Sequence, residues 1–277
     1  MQPFAPNFDD CQWQVIWMSL PLIQAVPGRY RGFTVRSWRI DQADVCGRTI
    51  SLPTPLDIRG LLTDDGTLWM SDVPQERLMM SNNAFHSAGR VLVGGLGLGL
   101  YPQYALIRAA DMAPIESITV IEREPALAEV VEPLVQIAAA PHGVPVRVEL
   151  ADVQTALEAG PSALYDTIFL DTWSRIDPAL LPEINALRDL ALRHLEPGGR
   201  VLLWGYNWML RLFLGGCLEL FAAPPEERPA RVEQAAAQRP GLRALLEPVL
   251  ARFPGPVDDL PSAQRWCREH ALRVTLP

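Results

Sequence analysis

An apolar strand that runs straight into a cluster of glycines, Arg90 to Leu100 (RVLVGGLGLGL), constrains this chain more than any other stretch. Val91, Leu92 and Val93 come in succession, and Gly94, Gly95, Gly97 and Gly99 follow at once. Glycine lets the backbone adopt left-handed conformations and approach a ligand where a Cβ would collide. A second apolar strand, Ile118 to Ile121 within SITVIEREP, ends on Glu122. Strand, glycine turn, helix and acid-tipped strand predict a half-site for a nucleotide or nucleoside, with the carboxylate accepting ribose hydroxyls.

The pattern continues on the C-terminal side. Strands are expected at Val91–Gly94, Ile118–Ile121, Val146–Leu150, Asp166–Leu170 and Arg200–Trp204. Helices are expected between them at Pro102–Ala110, Pro125–Ala140, Val153–Ala159 and Ala179–Leu195, the last running to the Pro197-Gly198-Gly199 turn. Such alternation predicts an α/β fold, a parallel sheet with helices on its faces. Pro133 should kink or split its helix. After Tyr206 the chain reads as helical (Trp208–Phe221, Pro229–Gln238, Leu242–Phe253, Ser262–His270), with Leu272–Leu276 as a candidate edge strand.

Residues 1–80 have a different grain. Short apolar runs at Trp13–Met18, Phe33–Ile40 and Arg48–Leu52 lie between Pro and Gly signals. Asp65-Gly66, between Ile58–Leu62 and Thr67–Met70, is a hairpin signal. The expected division is therefore a small β-rich module over 1–80 and a larger α/β domain over 81–277, with a helical extension from about 207. Pro74–Phe85 is the helix leading from one to the other.

Bulk properties exclude several classes. The 277 residues can bury a full core, and 49% hydrophobic with 20% charged residues are globular values. No apolar run reaches the roughly 18 residues of a membrane span, and the N-terminus lacks the basic and apolar regions of a signal peptide. Cys11, Cys46, Cys217 and Cys267 are scattered, so reduced thiols in the cytoplasm are expected and no metal site is. A net charge of −8 disfavours nucleic acid as partner and leaves a small-molecule substrate, with a homodimer open.

Ligands in open parallel sheets bind beyond the carboxyl ends of the strands. Four successive strands here end in a candidate element: the turn of Gly95, Gly97 and Gly99, then Glu122, Asp152 and Asp171. Asp152 can receive the amino group of an adenine, with the Val153 amide donating to the ring, or it can cap the following helix. Asp171, in FLDTW, can orient or deprotonate a nucleophile, or serve as a structural acid. Trp173 and Trp204 are candidate walls of a substrate pocket or ordinary core. His86 is a candidate proton carrier, with a bland surface role as its rival. Leu100 stands where the dinucleotide fingerprint needs its last glycine, which argues against a nicotinamide cofactor.

The motifs VLVGGLGLGL, TVIEREP, LADVQTAL, YDTIFLDTW and LEPGGRVLL resemble, in order and spacing, those of the class I S-adenosylmethionine-dependent methyltransferases, and within them the spermidine synthase-like proteins. The resemblance spans roughly residues 60–205. It implies a Rossmann-like sheet and S-adenosylmethionine, or its decarboxylated form, as cofactor. Gly95, Gly97 and Gly99 would surround it, Glu122 would hold the ribose and Asp152 the adenine. The implied activity is transfer of a methyl group to a small molecule or protein side chain. The alternatives are an aminopropyltransferase of altered specificity, or a non-catalytic protein that keeps the fold. The aminopropyltransferases carry an acid in the glycine loop where Leu98 stands here, and a further acid after strand four where Ser174 stands.

Overall fold

Alternation of strand and helix after residue 89 resolves, in the computed structural model, into a five-stranded sheet in which every neighbouring pair is parallel. The structure describes residues 22–45, 47–109, 114–160 and 163–275. They fall into two units: the chain up to Ser174 with His194–Trp204, and Arg175–Arg193 with the chain from Gly205 onward.

The first unit contains two sheets. The antiparallel one has the order β1-β2-β3-β4, with β1 Gly28–Tyr30, β2 Phe33–Val45, β3 Arg48–Thr63 and β4 Leu68–Ser71. The Asp65-Gly66 turn forms as expected: Gly66 has φ +84°, and the Asp65 carboxylate accepts from the Thr67 amide at 2.9 Å. The segment Trp13–Met18 lies outside the described residues. β2 and β3 are longer than the sequence runs suggest, because β3 carries Pro53 and Pro55 without breaking. Ile40 pairs with Leu56 but Gln42 pairs with Ser51, so both prolines sit in a bulge that asks for no ladder N–H.

Helix α1, Pro74–Phe85, follows with proline at its first turn. Its Leu78 packs with Ala43, Val45 and Leu52 of the antiparallel sheet. The junction between β4 and α1 is tied by a buried ion pair, Arg77 to Asp72 at 2.6 Å, with the residues 4% and 1% exposed. The Asp72 carboxylate also accepts from the Arg59 amide and from Gln24 Nε2, both at 2.6 Å. A buried charge needs such multiple partners to be tolerated.

The parallel sheet has the order β7-β6-β5-β8-β9: β5 Gly89–Gly94, β6 Ile115–Glu122, β7 Val146–Leu150, β8 Tyr165–Leu170 and β9 Leu195–Leu203. β5 is central and its Val91, Leu92 and Val93 are fully buried, as a continuous apolar run in a covered parallel sheet should be. Helices α2 (Leu100–Ala109), α3 (Pro125–Ala139) and α4 (Val153–Ala159) connect these strands. α3 is neither split nor stopped by Pro133, which lies on its exposed side where water can take the carbonyl that proline leaves unpaired. The Pro197-Gly198-Gly199 turn does not precede β9 but lies inside it. Tyr165 pairs with Leu195 and Thr167 with Arg200, and the extra residues bulge between them.

The second unit is helical: α5 Leu181–Leu192, α6 Tyr206–Ala222, α7 Arg228–Gln238, α8 Leu242–Arg252 and α9 Leu260–Arg273. α5 is shorter than expected because a single 3₁₀ turn, Pro178–Leu180, precedes it and β9 starts at Leu195. The expected edge strand at Leu272–Leu276 is not formed by its described residues, 272–275; α9 continues to Arg273. Its end is fixed by Asn185, fully buried on α5, whose side-chain amide donates to the Ala271 and Val274 carbonyls at 2.8 and 2.7 Å. Those carbonyls are among the ones a helix C-terminus leaves without partners. No helix among the described residues is long and apolar enough to cross a membrane.

Candidate functional site

The sheet order reverses direction between β5 and β8, and an open α/β sheet parts its loops at that switch point. The glycine turn lies there, directly after β5. Gly95, Gly97 and Gly99 all have positive φ (+94°, +50° and +71°), so each needs a residue without a Cβ. Between them Leu96, Leu98 and Leu100 are buried at 3–4% exposure, so the GLGLGL alternation is a row of apolar anchors separated by left-handed corners. Gly95 and Gly97 keep part of their backbone open to solvent, whereas Gly99 is buried. A Cβ on Gly95 would lie 2.3 Å from the Asp171 carbonyl oxygen, and one on Gly99 within 3.0 Å of Val131 and Val135. A Cβ on Gly97 would meet the Met70 sulfur at 2.4 Å, and that sulfur also accepts from the Leu98 amide at 3.2 Å.

Glu122 clamps this turn. Its side chain is 5% exposed; Oε2 accepts from the Leu96 amide at 2.9 Å and Oε1 from the Glu124 amide at 2.8 Å. One carboxylate at the tip of β6 thus holds the loop after β5 and the start of the chain toward α3. Each carboxylate oxygen retains a further acceptor position. Asp152, exposed beyond β7, caps α4 by accepting from the Thr155 amide at 3.0 Å. The capping role therefore stands on direct geometry. Val153 is buried with its methyls against Gly94, as the 3.1 and 3.2 Å approaches to an added Cβ there measure.

Asp171 follows β8, and its amide donates to the Gly94 carbonyl at 2.9 Å, which seats it beside the glycine turn. Burial holds its carboxyl well above the usual range, and the Glu76 carboxyl adds to that rise. Glu76 comes from the first turn of α1. Burial pushes it up to about 7, partly opposed by the indole N–H of Trp204. Trp204 is 9% exposed, and its Nε1 is buried near Glu76 without a partner in full hydrogen-bonding geometry. Trp173 joins the group by donating from Nε1 to the Trp204 carbonyl at 3.2 Å.

The structure therefore brings Gly95, Gly97, Gly99, Glu122, Asp152, Val153, Asp171, Trp173 and Trp204 to one end of the parallel sheet. It does not bring His86 there. His86 is exposed, closes α1 at its C-terminus and packs edge-to-face on Phe85. It precedes β5, at the end of that strand away from the glycine turn. Glu76 was not legible as a site residue, because an acid in the first turn of a helix reads as a partner for the helix dipole. Met70 was hidden in the same way, as a strand residue ahead of that helix.

No family model matches the chain, and no curated protein matches it. Among solved structures it is similar to MnmC2 from Aquifex aeolicus, at 19% identity and TM-score 0.35, over 52% of this chain and 55% of that one. A SAM-dependent methyltransferase from Thiobacillus denitrificans, in complex with S-adenosyl-L-homocysteine, has 19% identity and TM-score 0.33 over 47% of each chain. TrmN from Thermus thermophilus has 24% identity and TM-score 0.34, over 47% of this chain and 37% of its own. The matched region spans about half or less of each of these proteins.

Proposed function

We propose that this chain is a class I S-adenosylmethionine-dependent methyltransferase that acts on a small molecule or a protein side chain. The observation that carries the reading is the clamp between Glu122 and the Leu96 amide. It joins an acid at the tip of β6 to a three-cornered glycine turn after β5, at the sheet's switch point. In this reading Gly95 and Gly97 offer open backbone to the aminoacid and ribose parts of the cofactor. The remaining acceptor positions of Glu122 take the ribose hydroxyls, and Asp152 takes the adenine amino group while still capping α4. The cofactor supplies an activated methyl on a sulfonium. Asp171 orients the nucleophile or accepts its proton, and Trp173 and Trp204 exclude water beside it. Holding two reactants in line supplies a large part of the rate in such a transfer.

The decarboxylated cofactor and aminopropyl transfer form the alternative. Leu98 weighs against it, because the position of the family's loop acid is held by a buried leucine whose amide is spent on Met70. Calorimetric titration with S-adenosylmethionine and S-adenosylhomocysteine tests the main reading, which expects micromolar binding of both. Absence of heat and of competition by either, at high micromolar concentration, overturns it.

A further inference from the structure

We propose that Glu76 and Asp171 form a carboxyl pair that receives the cationic group of a bound ligand, supported by the buried indole N–H of Trp204. Three observations converge on it. The two carboxyls come from separate elements, α1 and the end of β8, and Glu76 lies close enough to Asp171 to raise its carboxyl; the Trp204 amide, on the Leu170 carbonyl at 3.0 Å, seats the indole beside that strand end. Trp204, more than nine-tenths buried, places an N–H without a full partner against Glu76. Nearby charges are otherwise committed. Arg77 on the same helix bonds the Asp72 carboxylate through Nη2 at 2.6 Å and the Asp72 carbonyl through Nε at 3.2 Å. Glu122 faces the Leu96 and Glu124 amides. Asp152 caps α4.

Two desolvated carboxyls with no cation of the described residues acting on either cannot both ionise cheaply, so the ligand-free pair retains a proton near neutral pH. An incoming cation supplies the missing charge. The protonated carboxyl then gives its proton to solvent, and the carboxylate pairs with the ligand. Indole N–H is a donor only, so Trp204 favours the ionised form of Glu76 and leaves Asp171 as the member that keeps the proton longest.

The cation can be the donor's sulfonium, its α-ammonium, or an ammonium on the acceptor. The inference rests on the methyltransferase reading only for the first two. Calorimetry in two buffers of unlike ionisation enthalpy at pH 7.5 separates them, since it counts protons released per ligand bound. Release of about one proton by S-adenosylmethionine and none by S-adenosylhomocysteine assigns the sulfonium. Equal release by both assigns the α-ammonium they share. Release only when 1,4-diaminobutane is added, to the S-adenosylhomocysteine complex or to the free protein, assigns an acceptor amine. Glu76→Gln, with its near-ultraviolet dichroism unchanged, should cut the release at least twofold. If neither nucleoside binds, the methyltransferase reading fails while the amine titration still decides the pair. No proton release with any of the three probes overturns the inference. So does a carbon-13 titration of the free protein in which both carboxyls ionise below pH 5.

Discussion

At the scale of single residues the glycine turn separates two reasons for glycine. Gly95 and Gly97 both have positive φ, but what a Cβ would meet differs. At Gly95 it meets the Asp171 carbonyl, which belongs to backbone held by the Gly94 hydrogen bond and cannot give way. At Gly97 it meets the end of the Met70 side chain, which can. Gly95→Ala is therefore expected to cost about 2 kcal/mol or more and to abolish nucleoside binding. Gly97→Ala should cost less, and part of its cost should vanish in a Met70→Ala background. A double-mutant cycle by urea denaturation measures that coupling, and strict additivity of the two changes would refute the packing argument. Glu122→Gln keeps the shape but replaces one accepting oxygen with a donor, leaving the Leu96 or the Glu124 amide unpaired. A loss of about 1–3 kcal/mol is expected, with at least a tenfold fall in S-adenosylhomocysteine affinity read by calorimetry. An unchanged affinity would leave Glu122 as a loop clamp alone.

At the scale of elements, most of the parallel sheet was legible because its strands are short, apolar and bounded by turn residues. Pro74 and Pro125 mark the starts of α1 and α3 at the residues where those helices begin. What escaped was decided by partners distant in sequence. Pro53 and Pro55 look like strand breakers, and only the register against β2 reveals the bulge that admits them. The stretch from Leu272 has the composition of an edge strand, but α9 runs on to Arg273, and Asn185, some 90 residues earlier, caps its C-terminus. Asp171 announced itself at a strand end, whereas Glu76 gained meaning only when α1 placed it beside that acid. Arg228 belongs to the same class of hidden residue. It is 2% exposed at the start of α7, and its guanidinium donates to the Phe221, Ala223, Phe253 and Gly255 carbonyls at 2.8–3.2 Å, serving the ends of α6 and α8. Arg228→Ala should destabilise the helical unit by about 3 kcal/mol, since four buried or half-buried carbonyls lose a charged donor. Arg228→Lys should recover only part, because an ammonium cannot span two helix ends with a planar fork. Hydrogen exchange localises the effect: increased exchange confined to the parallel sheet would contradict it.

At the scale of the whole molecule the carboxyl pair links the proposed site to the stability of the chain. In the folded state the Glu76 carboxyl ionises at about 7, against 4.5 for an ordinary glutamate. Between those two values the unfolded chain has released a proton that the folded chain still holds, so folding stability falls as pH rises through this window. For Glu76 the fall amounts to at most about 3 kcal/mol, reduced by whatever solvent reaches its partly open side chain. Above pH 7 its contribution is flat, and Asp171, also held well above the carboxylate range, extends the decline. The chain's net charge of −8 works in the same direction through general repulsion, so the slope of the wild type alone does not isolate the pair. Glu76→Gln does. Glutamine imitates the protonated acid, so the variant should match the wild type near pH 4.5 and exceed its stability at pH 8, while binding a cationic ligand more weakly. Urea unfolding at both pH values, followed by fluorescence and far-ultraviolet dichroism, reads the difference. Parallel curves for variant and wild type across the window would mean that the folded chain ionises Glu76 as freely as the unfolded one, and Glu76 would then hold no proton near neutral pH to exchange for a ligand's charge.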